Sequence, residues 1–155
     1  MRLDAKILTV SNGVVAGERA DSSAPALAAR LEGAGFAVLE RRVVADDTAA
    51  VAQAIGEMAR GFHGLVVTTG GTGFAPTDTT PEATRLVVDR VAPGLAEAMR
   101  AASPLGRLSR GVAGTLGEAL VLNTPGSPTG AVEHLEAVID VLAHALELLA
   151  GERPH

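Results

Sequence analysis

Cysteine, tryptophan and tyrosine are absent from this chain, and phenylalanine occurs only three times in 155 residues. Without cysteine there is no disulfide scaffold, no thiolate zinc site and no cysteine nucleophile. With Phe36, Phe62 and Phe74 as the whole aromatic content, the chain lacks the stacking platform that single-stranded nucleic acid needs. Positive charge is scarce as well: 13 Lys and Arg stand against 18 Asp and Glu, a formal net charge of -5. That balance excludes a broad polyanion-binding face, so no nucleic-acid partner is expected. No apolar run approaches the roughly 20 residues that span a bilayer. Residues 1–6 lead into a strand-like run rather than the apolar stretch of a secretory signal. The expected setting is the cytoplasm, with no membrane contact.

What is present is apolar and rich in glycine: 47% hydrophobic residues and 18 glycines. A single domain over residues 1–155 is expected, with a flexible tail at 151–155. Residues 5–10 and 64–68 are short β-branched runs that read as buried strands. Residues 36–44 read as an edge strand, because Glu40, Arg41 and Arg42 interrupt the apolar pattern. Residues 111–115 and 119–123 read as a hairpin. Apolar residues at helical spacing predict helices over 24–34, 48–60, 80–88 and 93–101, with Ser23 and Thr80 as N-caps, and one long amphipathic helix over 131–149. Residues 11–23 and 103–110 read as loops. Strands alternating with helices predict an α/β sandwich with a mainly parallel sheet.

Ligands of such sheets sit beyond the carboxyl ends of the strands. Ser11, Asn12, Asp46, Asp47, the loop 70–73 and the turn 125–127 all fall there. The loop Thr69-Gly70-Gly71-Thr72-Gly73 matches neither nucleotide-binding fingerprint: Pro76 stands where the Rossmann pattern needs glycine, and the Walker lysine is missing. Its small residues after a buried strand favour phosphate binding over a plain tight turn. Asp46 and Asp78, in loops beside it, suit a Mg²⁺ ion that shares substrate phosphates. The plainer readings are an N-cap ahead of Thr48 and an Asx-turn before Thr80. The histidines (His63, His134, His144, His155) are scattered, and Asp140 with His144 reads as a surface i,i+4 pair. No nucleophile elbow surrounds Ser127, which reads as a turn or ligand-bonding residue.

The string from Leu65 through Thr69-Gly70-Gly71-Thr72-Gly73 and Asp78 to Pro81-Glu82-Ala83-Thr84 closely resembles the signature of the molybdenum cofactor biosynthesis family, which includes the Mog and MoaB proteins and the gephyrin G domain. Thr9-Val10-Ser11-Asn12, Val44-Ala45-Asp46-Asp47, Pro93-Gly94, Leu108-Ser109-Arg110 and Asn123-Thr124-Pro125-Gly126-Ser127-Pro128 extend the resemblance in the right order over essentially the whole chain. It implies a three-layer α/β/α fold, commonly a homotrimer. It implies an adenylyltransferase that uses Mg²⁺ and ATP to convert molybdopterin into adenylyl-molybdopterin and pyrophosphate, the product later passing to a molybdate-insertion protein. By matching position, Asp46 and Asp78 are the catalytic and metal-holding residues. Ser11, Thr69, Gly70, Gly71, Thr72, Gly73, Glu82, Ser109, Pro125, Gly126 and Ser127 are the substrate- and phosphate-binding positions.

The chain departs from the family pattern at three places. Thr77 stands where many relatives carry arginine, Thr129 where a lysine is common and Ala24 where a glycine is usual. Two missing cations weaken the field that favours phosphates, and Arg107 and Arg110 are the candidates to replace them. The alternatives to an enzyme are a MoaB-type molybdopterin binder with weak or no catalysis and an interaction module.

Overall fold

The computed structural model describes residues 1–153; Pro154 and His155, the end of the expected flexible tail, lie outside the described residues. Its strands are β1 (Leu3–Val10), β2 (Phe36–Val44), β3 (Leu65–Thr69), β4 (Arg90–Val91), β5 (Ala113–Leu116) and β6 (Ala119–Thr124). They form one sheet in the order β2-β1-β3-β6-β5-β4. The first four in that order run parallel, while β5 turns back against β6 and β4 pairs antiparallel with β5. The helices are α1 (Asn12–Val15), α2 (Ser23–Gly33), α3 (Thr48–Ala59), α4 (Thr80–Val87), α5 (Pro93–Arg100), α6 (Pro128–Glu136) and α7 (Ile139–Leu149).

Side chains alternate across a strand, so a sheet covered on both faces reads as continuous apolar runs. Ile7, Leu65, Val67 and Leu122 face one helical layer, packing with Leu27 of α2, Met99 of α5, Leu135 of α6 and Leu142 of α7. Leu8, Val66 and Val121 face the other, with Ile55 of α3 and Ala83 of α4. The result is the three-layer sandwich. Each fully buried leucine in it contributes roughly 1.5–3 kcal/mol.

The expected helix over 131–149 is two helices. Neither Pro nor Gly breaks it. Val138 leaves helical geometry (φ -127°) and is 1% exposed, so the chain turns there to seat a valine in the core between Leu135 and Leu142. Apolar spacing continues on both sides of the break, which is why the sequence reads as one element. The expected loops hold short turns: Ser11 caps α1 by accepting from the Val14 amide at 3.2 Å, and Pro104–Leu108 is a 3-10 turn.

The caps also differ from expectation. Asp21 Oδ1 accepts from the Ala24 amide at 3.1 Å, while the Ser23 hydroxyl donates to the Gly126 carbonyl. Thr80 lies inside α4, and its hydroxyl donates to the Gly70 carbonyl at 2.9 Å. Asp47 caps α3 through the Ala50 amide at 2.8 Å, so Asp46 is free of that duty.

The topology places the site. After β1 the chain crosses to α2 in one layer; after the neighbouring β3 it crosses to α4 in the other. Connections that leave adjacent parallel strands in opposite directions open a crevice at their carboxyl ends. There the strand ends lie level: Thr9 pairs with Thr69, and Thr69 with Thr124.

Candidate active site

A cleft of about 950 Å³ opens at this end of the sheet. Ser11, Asp46, Thr69, Gly70, Gly71, Thr72, Gly73, Asp78, Ser109, Pro125, Gly126 and Ser127 all line it.

The glycine-rich loop is shaped by its own backbone. Gly70 and Gly71 have φ of 101° and 70°, and a Cβ would collide with the Val10 carbonyl at the first and the Thr80 hydroxyl at the second. The scaffold takes every carbonyl of the loop. Gly70 O accepts from Thr80 Oγ1 at 2.9 Å, Gly71 O from Thr80 N at 3.1 Å, Thr72 O from Arg110 N at 2.8 Å and Gly73 O from Arg110 Nε at 2.8 Å. All peptides are trans, so each carbonyl drawn into the protein leaves the following N–H on the opposite side. The amides of Gly71, Thr72 and Gly73 therefore face the cleft, and among the described residues they donate to nothing. Successive free amides of this kind form an anion-binding concavity.

The two aspartates flank this loop in matching ways. Asp46 exchanges two hydrogen bonds with Asn12: its amide donates to Asn12 Oδ1 and its Oδ2 accepts from the Asn12 amide, both at 2.9 Å. Asp78 exchanges two with Ala75, donating to its carbonyl at 2.9 Å and accepting from its amide on Oδ2 at 3.0 Å. Each carboxylate is thus pinned by one oxygen while Oδ1 accepts nothing among the described residues. Asp46 Oδ1 lies 3.2 Å from where a Cβ on Gly71 would stand, and Asp78 Oδ2 2.9 Å from one on Gly73. Hard oxygen donors on both sides of a phosphate-type loop fit Mg²⁺, which binds through one or two carboxylates and takes its remaining ligands from water and substrate. Among the described residues no three acids or histidines cluster as a closed metal cage.

Beneath the loop lies a buried polar floor. The Asn123 amide group donates to Thr68 Oγ1 and Thr84 Oγ1, both at 3.0 Å, and its Oδ1 accepts from the Val112 amide at 3.0 Å. Thr84 passes its own proton to the Thr80 carbonyl at 2.8 Å, Thr69 donates to Pro125 O at 2.7 Å and Thr124 to Thr68 O at 2.8 Å. Buried polar groups this fully paired rigidify what they support.

Two expectations need correction. Glu82 does not line the cleft; it pairs with Arg110, whose hydrogen bonds hold the carboxyl below its ordinary range. Arg110 is itself engaged by Glu82, Gly73 O and Asp78 O, and Arg107 is not among the residues lining the cleft, so neither replaces a missing cleft cation.

The structure adds residues that the sequence reading passed over: Arg19, Asp21, Ser23, Glu133 and His134 also line the cleft. Asp21 was legible as a helix-capping residue before α2; Arg19 and His134 carried no signal of their own. His134 is buried, and burial pushes its imidazole below the ordinary value, against the pull of Glu133.

The family model described as "Probable molybdopterin binding domain" matches residues 6–144. Over 142 residues the chain is 42% identical to the molybdopterin adenylyltransferase of Haemophilus influenzae, covering 86% of this chain and 72% of that one. The solved structure of the molybdopterin biosynthesis enzyme MoaB from Thermus thermophilus superposes with a TM-score of 0.92 at 46% identity, covering 97% of this chain and 98% of that one. The Mog protein of Mycobacterium ulcerans gives 0.88 at 41%, covering 98% and 99%. A family match over most of the length, together with relatives that share both the sequence and the whole sandwich, shows that the chain belongs to the molybdopterin-binding family of molybdenum cofactor biosynthesis proteins.

Proposed function

We propose that the chain is a molybdopterin adenylyltransferase. The phosphate of molybdopterin attacks the α-phosphorus of ATP, the α–β anhydride bond breaks, and adenylyl-molybdopterin and pyrophosphate result. A phosphate is already a competent nucleophile, so the chemistry asks for positioning and charge neutralisation rather than a side-chain nucleophile. The observation that carries this reading is the run of free amides at Gly71, Thr72 and Gly73 between two carboxylates, each with one oxygen uncommitted. The amides fix phosphate oxygens, and Asp46 and Asp78 would hold Mg²⁺. When bound, that ion supplies positive charge to the phosphates. Ser11, Ser109 and the 125–127 turn line the remaining wall for the pterin and nucleotide. The name borne by the Haemophilus influenzae relative supports the same reaction.

Incubation with molybdopterin, ATP and Mg²⁺ is expected to yield the adenylylated pterin and pyrophosphate. Turnover by folded Asp46→Asn and Asp78→Asn at the unsubstituted rate would overturn the metal assignment. A second reading, molybdopterin binding with weak or no catalysis, is favoured by Thr129, which lines the cleft where a lysine was expected. Binding without product would select it.

The working form is a homotrimer in the cytoplasm. Phe74, Leu86 and Leu105 are each more than two thirds exposed, at 71%, 71% and 75%, and large apolar side chains left in water suit a subunit interface. A monomer by light scattering would remove the trimer. Among the described residues no helix is long and apolar enough to cross a membrane. The product's consumer is a molybdate-insertion protein, as the resemblance implies.

A further inference from the structure

The cleft is acidic for a site that takes two anionic substrates. Asp21, Asp46, Asp78 and Glu133 line it, His134 is held toward its neutral form by burial, and Arg19 is the one lysine or arginine among the lining residues. The arginines that form ion pairs elsewhere in the molecule have carboxylate partners: Arg2 with Asp4, Arg30 with Glu136, Arg42 with Glu40 and Glu57, Arg110 with Glu82. Arg19 does not. Its guanidinium donates from Nη2 to the neutral Ser11 hydroxyl at 2.9 Å, and among the described residues it meets no carboxylate. The neighbouring acid, Asp21, is already occupied on both oxygens by the Thr9 hydroxyl at 2.6 Å and the Ala24 amide at 3.1 Å.

Its position is set by the same short stretch that sets Asp46. Ser11 holds Arg19 and the next residue, Asn12, holds Asp46 through paired hydrogen bonds. The arginine stem passes over Gly13, where a Cβ would lie 3.2 Å from Nε and 3.4 Å from Cγ. A guanidinium with uncommitted donors, resting on one hydroxyl at the mouth of an acidic cleft, is poised to form charge-assisted, bidentate bonds to a phosphate.

Building on the adenylyl-transfer reading, we propose that Arg19 is the phosphate-binding cation of this cleft. It exchanges the Ser11 hydroxyl for a phosphate group of a bound substrate. The group is either the terminal phosphate of molybdopterin or the polyphosphate of ATP. Arg19 supplies the positive charge that Thr77, Thr129, Arg107 and Arg110 do not.

The test measures equilibrium binding of molybdopterin by its pterin fluorescence and of ATP by calorimetry, at several salt concentrations, for the unsubstituted protein, Arg19→Gln and Arg19→Lys, with the melting temperature of each. Arg19→Gln is expected to weaken one of the two ligands by about ten- to a hundredfold, the scale of a lost charge-assisted bond. It should flatten that ligand's salt dependence and leave the melting temperature unchanged. The affected ligand identifies the phosphate. Arg19→Lys should recover part of the loss, since it keeps the charge without the fork. Unchanged affinity of Arg19→Gln for both ligands overturns the proposal while leaving the adenylyl-transfer reading standing. So does an equal loss in Arg19→Lys with unchanged salt dependence, because a role in loop shape would give it. An unsubstituted protein that binds neither ligand overturns both.

Discussion

The floor of the cleft and its rim are built on opposite terms. On the floor, Thr68, Thr69, Asn123, Thr84 and Thr124 are at most 2% exposed and their hydrogen bonds go to one another or to the backbone. On the rim, Asp46 and Asp78 are half-buried, each spending one carboxylate oxygen on the fold and keeping the other, and Arg19 is exposed on a neutral partner. The floor commits its polar groups to holding a shape; the rim leaves some of its polar groups uncommitted. The glycine-rich loop shows both habits: its carbonyls are taken by Thr80 and Arg110, while its amides stay uncommitted like the rim.

Substitutions separate these roles by what they change. The largest effect is expected at the rim, in turnover. Asp46→Asn and Asp78→Asn should each lower the adenylylation rate by about a hundred- to a thousandfold, the scale of losing one preorganised electrostatic group. Their melting temperatures should stay within about 2 °C of the unsubstituted protein. An early-melting Asp46→Asn would move that residue to the floor and break the contrast. The floor should respond the other way. Asn123→Ala leaves the Val112 amide, Thr68 and Thr84 short of a partner and should cost about 2–4 kcal/mol in a urea titration. Arg110→Ala tests the boundary, because Arg110 holds the Gly73 and Asp78 carbonyls from outside the cleft. A roughly tenfold slower turnover is expected from a loosened loop, with little change in melting.

The smallest effect is in pH dependence. His134 has a folded value below its ordinary 6.5 because it is buried. At higher pH both folded and unfolded chains carry it neutral, and its contribution is complete. As pH falls below about 6.5 the unfolded chain protonates first, so stability declines until the folded value is passed. Glu82, held below 4.5 by Arg110, gives up its contribution only at lower pH, from about 4.5 downward. Replacing His134 by leucine should therefore flatten the stability profile just below pH 6.5 and leave the more acidic decline in place.

Much of the site was legible because it is written in local sequence. The 64–68 run is apolar without alternation, as a strand buried on both faces must be, and the glycines after it announce positive φ and close approach. Asp46 and Asp78 were placed by lying at strand ends. What escaped depends on contacts far apart in the chain. Arg110 joins the loop from 37 residues away, and Asn123 reaches Thr68 across 55. Glu82 has the right neighbours in sequence for a site residue, yet its helix turns it out of the cleft toward Arg110. The break at Val138 was hidden for the opposite reason: burial on both sides preserves the helical rhythm through it.

The level strand ends have a consequence for remodelling. Because Thr9, Thr69 and Thr124 are aligned by backbone pairing within the sheet, the proposed seat for the phosphates is located by the part of the molecule least open to drift. The 3-10 turn at Pro104–Leu108 lines the cleft but carries none of that alignment. Grafting another sequence onto that turn, with Leu105 kept, would retune which small molecule is admitted while the proposed phosphate seat stays where the sheet has put it.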